Sequence, residues 1–209
     1  MLVSAPHTFA VLASGNGSNF EALTLADRRG ELPGHIAVLA TDRPDALAID
    51  RARRLGVEAL VLPAGRFRTR LEDERAWVDA LVARGVDAVL LAGFMRRLHG
   101  TFLSAFPDRI LNLHPSLLPA LPGLDAIPRA LEQRVAVTGC TVHVVRDEVD
   151  LGPIVAQATV EVRDDDTVES LTARIHELEH RLYPEAVRRY FGAGLGVARR
   201  RTPVEATHG

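Results

Sequence analysis

Five short apolar runs, separated by stretches of helical periodicity, restrict this chain more than any other feature. They are TFAVLAS (8–14), HIAVLAT (35–41), VEALVLP (57–63), VDAVLLAG (86–93) and RILNLHP (109–115). Runs of this length with little polar alternation read as strands buried on both faces. Amphipathic stretches at 18–30, 45–55 and 71–84 separate them. That alternation predicts βαβ units, hence a parallel sheet with helices on both faces. After residue 134 the rhythm changes. VAVTGCTVHVV (135–145) and PIVAQATVEV (153–162), joined by the turn-rich RDEVDLG, predict an antiparallel edge, and a long helix is expected from about Thr167 to Phe191. We expect one α/β domain over residues 1–191 and a poorly ordered, arginine-bearing tail over 192–209.

Charge and cysteine usage narrow the function classes. A net charge of −2 over 209 residues argues against a polyanion-binding surface, so no nucleic-acid partner is expected and any anion site is local. One cysteine, Cys140, precludes an internal disulfide and fits a reducing compartment. No apolar run is long enough for a membrane span, and the start lacks a basic n-region. The expectation is a soluble cytoplasmic protein.

The stretch SGNGSNF (14–20) follows the first strand and opens the first helix. Glycines let backbone approach a ligand, and a helix start offers free N–H groups to an anion. A dinucleotide fingerprint would need a glycine where Phe20 stands, and a Walker loop would need Lys-Ser/Thr; both are missing. A single phosphate fits. The plain alternative is a turn in which Ser18 or Asn19 caps the helix.

Asn112 and His114 interrupt the fifth run two residues apart, so they share a strand face opposite Leu111 and Leu113. Ligands of parallel α/β sheets bind at the carboxyl ends of strands, where this pair lies. An amide can donate to an oxyanion and an imidazole can move protons, which suits attack on an acyl carbon. Ser116, between Pro115 and Leu117, has no nucleophile elbow and reads as a turn or cap serine. Loop 146–152 supplies acids of which one could pair with His114, but composition does not choose among Asp147, Glu148 and Asp150.

HELEH (176–180) matches the zincin pattern, with His176 and His180 on one helix face and Cys140 imaginable as a third ligand. The metzincin extension does not follow, and an amphipathic surface helix accounts for the two histidines. A metallohydrolase is therefore the competing enzyme class. A non-catalytic nucleotide-binding module that keeps only the glycine loop is the third reading.

SGNGSN, LAGFMRRL, NLHPSLLPALPG, TGCTVHVV, DLGP and EHRLYP, in this order across residues 8–191, resemble the phosphoribosylglycinamide formyltransferase family. Methionyl-tRNA formyltransferase and formyltetrahydrofolate deformylase share versions of the Asn-x-His element; each carries a further domain for which no room is expected here. The resemblance implies a Rossmann-like formyltransferase domain in purine biosynthesis. It would transfer a formyl group directly from 10-formyltetrahydrofolate to glycinamide ribonucleotide, with no metal, as a monomer or homodimer. By position, Asn112, His114 and Asp150 resemble the catalytic trio, with Asp150 orienting His114. Gly17, Ser18 and Asn19 resemble the phosphate loop, and Glu179 a ribose contact. Arg70, Met95, Arg96, Arg97, Leu98, Asn112, Arg146, Asp147, Glu148 and Val149 correspond to the folate side. Asp125 stands where the family often has histidine, Pro128 follows closely, and Arg97 replaces an apolar residue.

Overall fold

The computed structural model describes residues 6–67 and 69–192; the tail from 193 onward lies outside the described residues. Among these, seven strands form one sheet in the order β3-β2-β1-β4-β5-β6-β7. They are β1 (His7–Leu12), β2 (Gly34–Thr41), β3 (Glu58–Val61), β4 (Ala88–Leu91), β5 (Ile110–His114), β6 (Val137–Val144) and β7 (Ile154–Glu161). The first five run parallel, and β6 and β7 add antiparallel as expected. The chain reverses direction across the sheet at β1, which pairs with β2 on one side and β4 on the other. Ligand crevices of open α/β sheets form at such a switch point.

The helices are α1 (Ser18–Arg28), α2 (Leu47–Arg54), α3 (Glu74–Val82), α4 (Gly100–Ala105), α5 (Ala126–Glu132) and α6 (Val168–Gly192). The sequence reading left out α4 and α5. At six and seven residues they are too short to show periodicity. Pro128 also reads as a breaker, yet it sits in the first turn of α5, where a missing N–H costs nothing.

Two apolar clusters sandwich the sheet. One face packs Phe9, Val11, Leu39, Leu111, Leu113 and Val142 against α1, α2, α5 and α6. The other packs Leu12, Val38, Val89 and Ile110 against α3 and α4, with Trp77 fully buried. Long α6 lays Leu171, Ile175, Leu182, Ala186, Val187 and Phe191 on the first face. Fully burying a large apolar side chain stabilises by about 1.5–3 kcal/mol, so this stripe holds the helix down. Its Tyr183 hydroxyl also lies 3.0 Å from the carbonyls of Leu91 and Leu111, tying α6 to β4 and β5. Residues 110, 112 and 114 face the α3/α4 side by strand alternation. Ile110 is covered there, whereas Asn112 is half-buried at the open end.

Candidate active site

The site grows from the pairing of β5 with β6. Asn112 lies directly opposite His143, and His114 opposite Thr141, so the four side chains share one sheet face. Asn112 Nδ2 is 3.1 Å from His143 Nε2. His114 is buried, and its Nε2 donates to the Leu121 carbonyl at 2.9 Å. That bond fixes the ring and turns Nδ1 toward Asp150, whose Oδ2 is 3.5 Å away. The other carboxylate oxygen lies 3.4 Å from His143 Nε2.

Of the three acids left open in loop 146–152, Asp150 alone turns inward; Asp147 and Glu148 are exposed. Asp150 occupies left-handed backbone at φ 56°, and Oδ2 accepts from the Gly123 N–H at 2.8 Å. Burial pushes its carboxyl upward. The His143 hydrogen bond, the Gly123 N–H and the two neighbouring imidazoles outweigh that and hold it below the ordinary range. The cluster thus keeps a fixed anion beside two imidazoles.

Turn 115–123 closes the site floor. Ser116 is fully buried, and its hydroxyl donates to the Ala120 carbonyl at 2.6 Å, which makes it a turn residue as read from the sequence. Thr141 Oγ1 donates to the Ser116 carbonyl and accepts from the Leu118 N–H, and the Leu118–Pro119 bond is cis. Asp125 is exposed at the start of α5 and contributes no group to the cluster.

At the carboxyl end of β1, the cap residue of α1 is Gly17 itself, at φ 76° and with no side-chain cap. Neither Ser18 nor Asn19 caps the helix, so the plain alternative for this loop does not hold. A Cβ on Gly17 would meet Ala48 Cβ at 2.6 Å, whereas one on Gly15 would meet nothing within 4 Å. Strand order places β4 between β1 and β5, so the loop and the trio are separated by about 10 Å, two strand spacings.

Glu179 is buried on the inner face of α6, where its Oε2 accepts from Asn19 Nδ2 at 2.7 Å. Burial raises its carboxyl to about 7 against the opposing effect of that bond. The amide oxygen of Asn19 is buried without a partner. His176 Nε2 lies 4.0 Å from Glu179 Oε2, and the His176 and His180 rings stack at 6.3 Å. Burial and the Glu179 carboxylate push the Cys140 thiol to about 12. Among the described residues no three His, Cys, Asp or Glu side chains converge as a metal site.

The folate-side candidates divide. Backbone bridging places Arg70 beside Arg97, and both are exposed. Arg70 also borders an open cleft of about 350 Å³ with Asp73 and His99, which no trio residue lines. Arg96 is engaged structurally: Nε donates to the buried Asp42 carboxylate at 2.7 Å, and its guanidinium meets the Phe67 carbonyl. Met95 is 53% exposed, while Leu98 is buried. Arg146 pairs with Asp108, and Val149 is exposed. His143 was missed in the sequence reading. Its signal was the one that revealed Asn112 and His114, a polar residue interrupting an apolar strand, here between Val142 and Val144.

An amide, an imidazole and an anion gathered at a strand end of a Rossmann-like sheet have the chemistry that acyl transfer uses. A model of the formyl transferase family matches residues 7–187. The chain is 40% identical over 184 residues to a phosphoribosylglycinamide formyltransferase of Bacillus subtilis (strain 168), covering 88% of this chain and 94% of that one. It is also 40% identical to the Escherichia coli (strain K12) protein of that name, covering 83% and 82%. The crystal structure of glycinamide ribonucleotide transformylase 1 from Symbiobacterium toebii superposes with a TM-score of 0.86 at 49% identity, covering 94% and 92%. This chain belongs to the formyl transferase family.

Proposed function

We propose that the protein transfers the formyl group of 10-formyltetrahydrofolate to the amine of glycinamide ribonucleotide, a step of purine biosynthesis. The observation that carries this reading is the Asn112–His114–Asp150 cluster at the end of β5, with His114 Nδ1 3.5 Å from Asp150 Oδ2. The amine attacks the formyl carbon, and the carbonyl oxygen becomes an oxyanion stabilised by Asn112 and His114. Collapse breaks the bond to the folate nitrogen. The proton lost by the amine passes to that nitrogen by way of His114 Nδ1, since Nε2 is committed to the Leu121 carbonyl, and the Asp150 carboxylate beside Nδ1 balances the charge while the ring carries it.

The rest of the surface fits the two substrates. The uncapped N–H groups of Ser18 and Asn19, with Gly17 before them, suit the ribonucleotide phosphate. Glu179 beside Asn19 suits the ribose hydroxyls. The exposed Arg70, Arg97, Met95 and loop 146–149 suit the folate, while Arg96 and Leu98 support that segment from beneath. No step needs a metal, and the partners are small molecules. A monomer or homodimer in the cytoplasm is the setting we assign. A spectroscopic formyl-transfer assay with glycinamide ribonucleotide and a 10-formyl folate tests the reading; a pure, folded protein that forms no formylated ribonucleotide would overturn it.

A further inference from the structure

His143 has no assigned task in that chemistry, yet it is 2% exposed and touches both Asn112 and Asp150. Its two nitrogens meet different groups. Nδ1 lies 3.2 Å from the Val144 carbonyl oxygen, an acceptor only, so Nδ1 carries a proton. Nε2 faces Asp150 Oδ1 at 3.4 Å, a second acceptor, and the nitrogen of the Asn112 amide, Nδ2, at 3.1 Å. An amide presents a donor NH₂ or an acceptor oxygen, and a half-turn of its terminal torsion exchanges them. A bare Nε2 draws the Asn112 NH₂ to itself and wastes the donor that the oxyanion needs. With a proton on each nitrogen the ring is an imidazolium whose charge Asp150 balances; its Nε2–H repels the NH₂ that lies there, and a half-turn of the amide brings the Asn112 oxygen in as acceptor.

We propose that His143 is a positioning residue: its Nε2–H holds the Asn112 amide in the orientation that aims NH₂ at the reacting formyl oxygen. The inference rests on the formyl-transfer reading and assigns the cross-strand partner of Asn112 a role within it. It also makes Asp150 serve two imidazoles, His114 through Oδ2 and His143 through Oδ1. The anion orients the proton carrier and, through His143, the oxyanion donor.

The test compares two polar replacements and a double-substitution cycle. A glutamine amide nitrogen reaches the place of Nε2, so His143→Gln retains a donor to Asp150 and the Asn112 oxygen. An asparagine reaches only the place of Nδ1, so His143→Asn leaves the amide unoriented. His143→Asn should lower kcat about 30-fold or more with KM for the ribonucleotide changed less than threefold, and His143→Gln should recover most of that loss. In an Asn112→Ala background the same His143→Asn change should cost less than threefold, because the amide it orients is gone. A purely structural role predicts the opposite: equal losses in both backgrounds, or equal losses for Gln and Asn. Either result overturns the proposal. Should His143→Asn fail to fold, the folded His143→Gln protein carries the test, and a 30-fold loss of its kcat overturns the proposal. A wild-type enzyme with no formyl transfer refutes the underlying reading, whereas an active wild type with an additive cycle refutes the role of His143 alone.

Discussion

At the residue scale, the geometry separates side chains clustered at the end of β5, to which the proposed chemistry is assigned, from those that shape the turn. Removing one preorganised oxyanion donor costs on the order of 10²–10³ in kcat. Asn112→Ala and His114→Ala should therefore reduce kcat by about that factor while ribonucleotide binding, followed calorimetrically, stays measurable. Asp150→Asn should slow turnover too, and paired substitutions within the trio should cost less than the product of the singles. Ser116 is committed to the Ala120 carbonyl, so Ser116→Ala should keep most activity and lose about 1 kcal/mol of stability in denaturant unfolding. A dead but folded Ser116→Ala would mean a different nucleophile.

Glu179 gives a second residue-level expectation, in pH rather than rate. The unfolded chain releases this proton near 4.5, whereas the native carboxyl holds it to about 7. Between those values the native state binds more protons, so stability is fullest below 4.5, falls as pH rises toward 7 and levels off above. The contribution is on the order of 3 kcal/mol in the ligand-free protein. Thermal unfolding from pH 5 to 8 should show wild type losing stability relative to Glu179→Gln; parallel curves would count against a protonated native Glu179.

At the scale of elements, the β1–α1 connection distinguishes two glycines that the sequence treats alike. Gly17 is needed by the fold: it has left-handed backbone, and a Cβ would strike Ala48 of α2. Gly17→Ala should cost about 2–4 kcal/mol from backbone strain and displacement of α2, so lost activity there would not isolate ligand binding. Gly15 has open space and no positive φ. Gly15→Val should leave the unfolding midpoint within a few degrees while raising KM for the ribonucleotide well above any change for the folate. Equal changes for both substrates would place the phosphate elsewhere.

At the scale of the whole molecule, the two helix layers divide the work. Face one, under α1 and α6, holds Glu179 and Asn19; face two, beyond α4, opens on the Asn112–His114–Asp150 cluster, and the proposed reaction has the substrates meet across the strand ends between them. In this arrangement HELEH is half interior and half surface, with Glu179 buried and His176 partly exposed. Prolonged chelation followed by desalting should leave formyl transfer unchanged, and His176→Ala should be mild. Stoichiometric zinc, with activity lost on its removal, would revive the metal reading.

Strands β1 to β7, the antiparallel edge and the long α6 were legible in the sequence because local patterns determine them: apolar runs of strand length, and a 3.6-residue stripe on α6. The shared face of Asn112 and His114 was legible for the same reason, since period-two alternation is local. Short α4 and α5 were not, because two turns of helix owe their stability to packing rather than periodicity. The choice of Asp150 over Asp147 and Glu148 rested on family resemblance until Gly123, His114 and His143 were seen around it. His143 itself joins Asn112 only through the β5–β6 register, thirty-one residues away along the chain. Sequence alone determined the elements and the strand face that Asn112 and His114 share. The tertiary structure decided which acid and which second histidine join that pair, and which glycine packs against α2, because long-range pairing sets those distances and no local pattern encodes it.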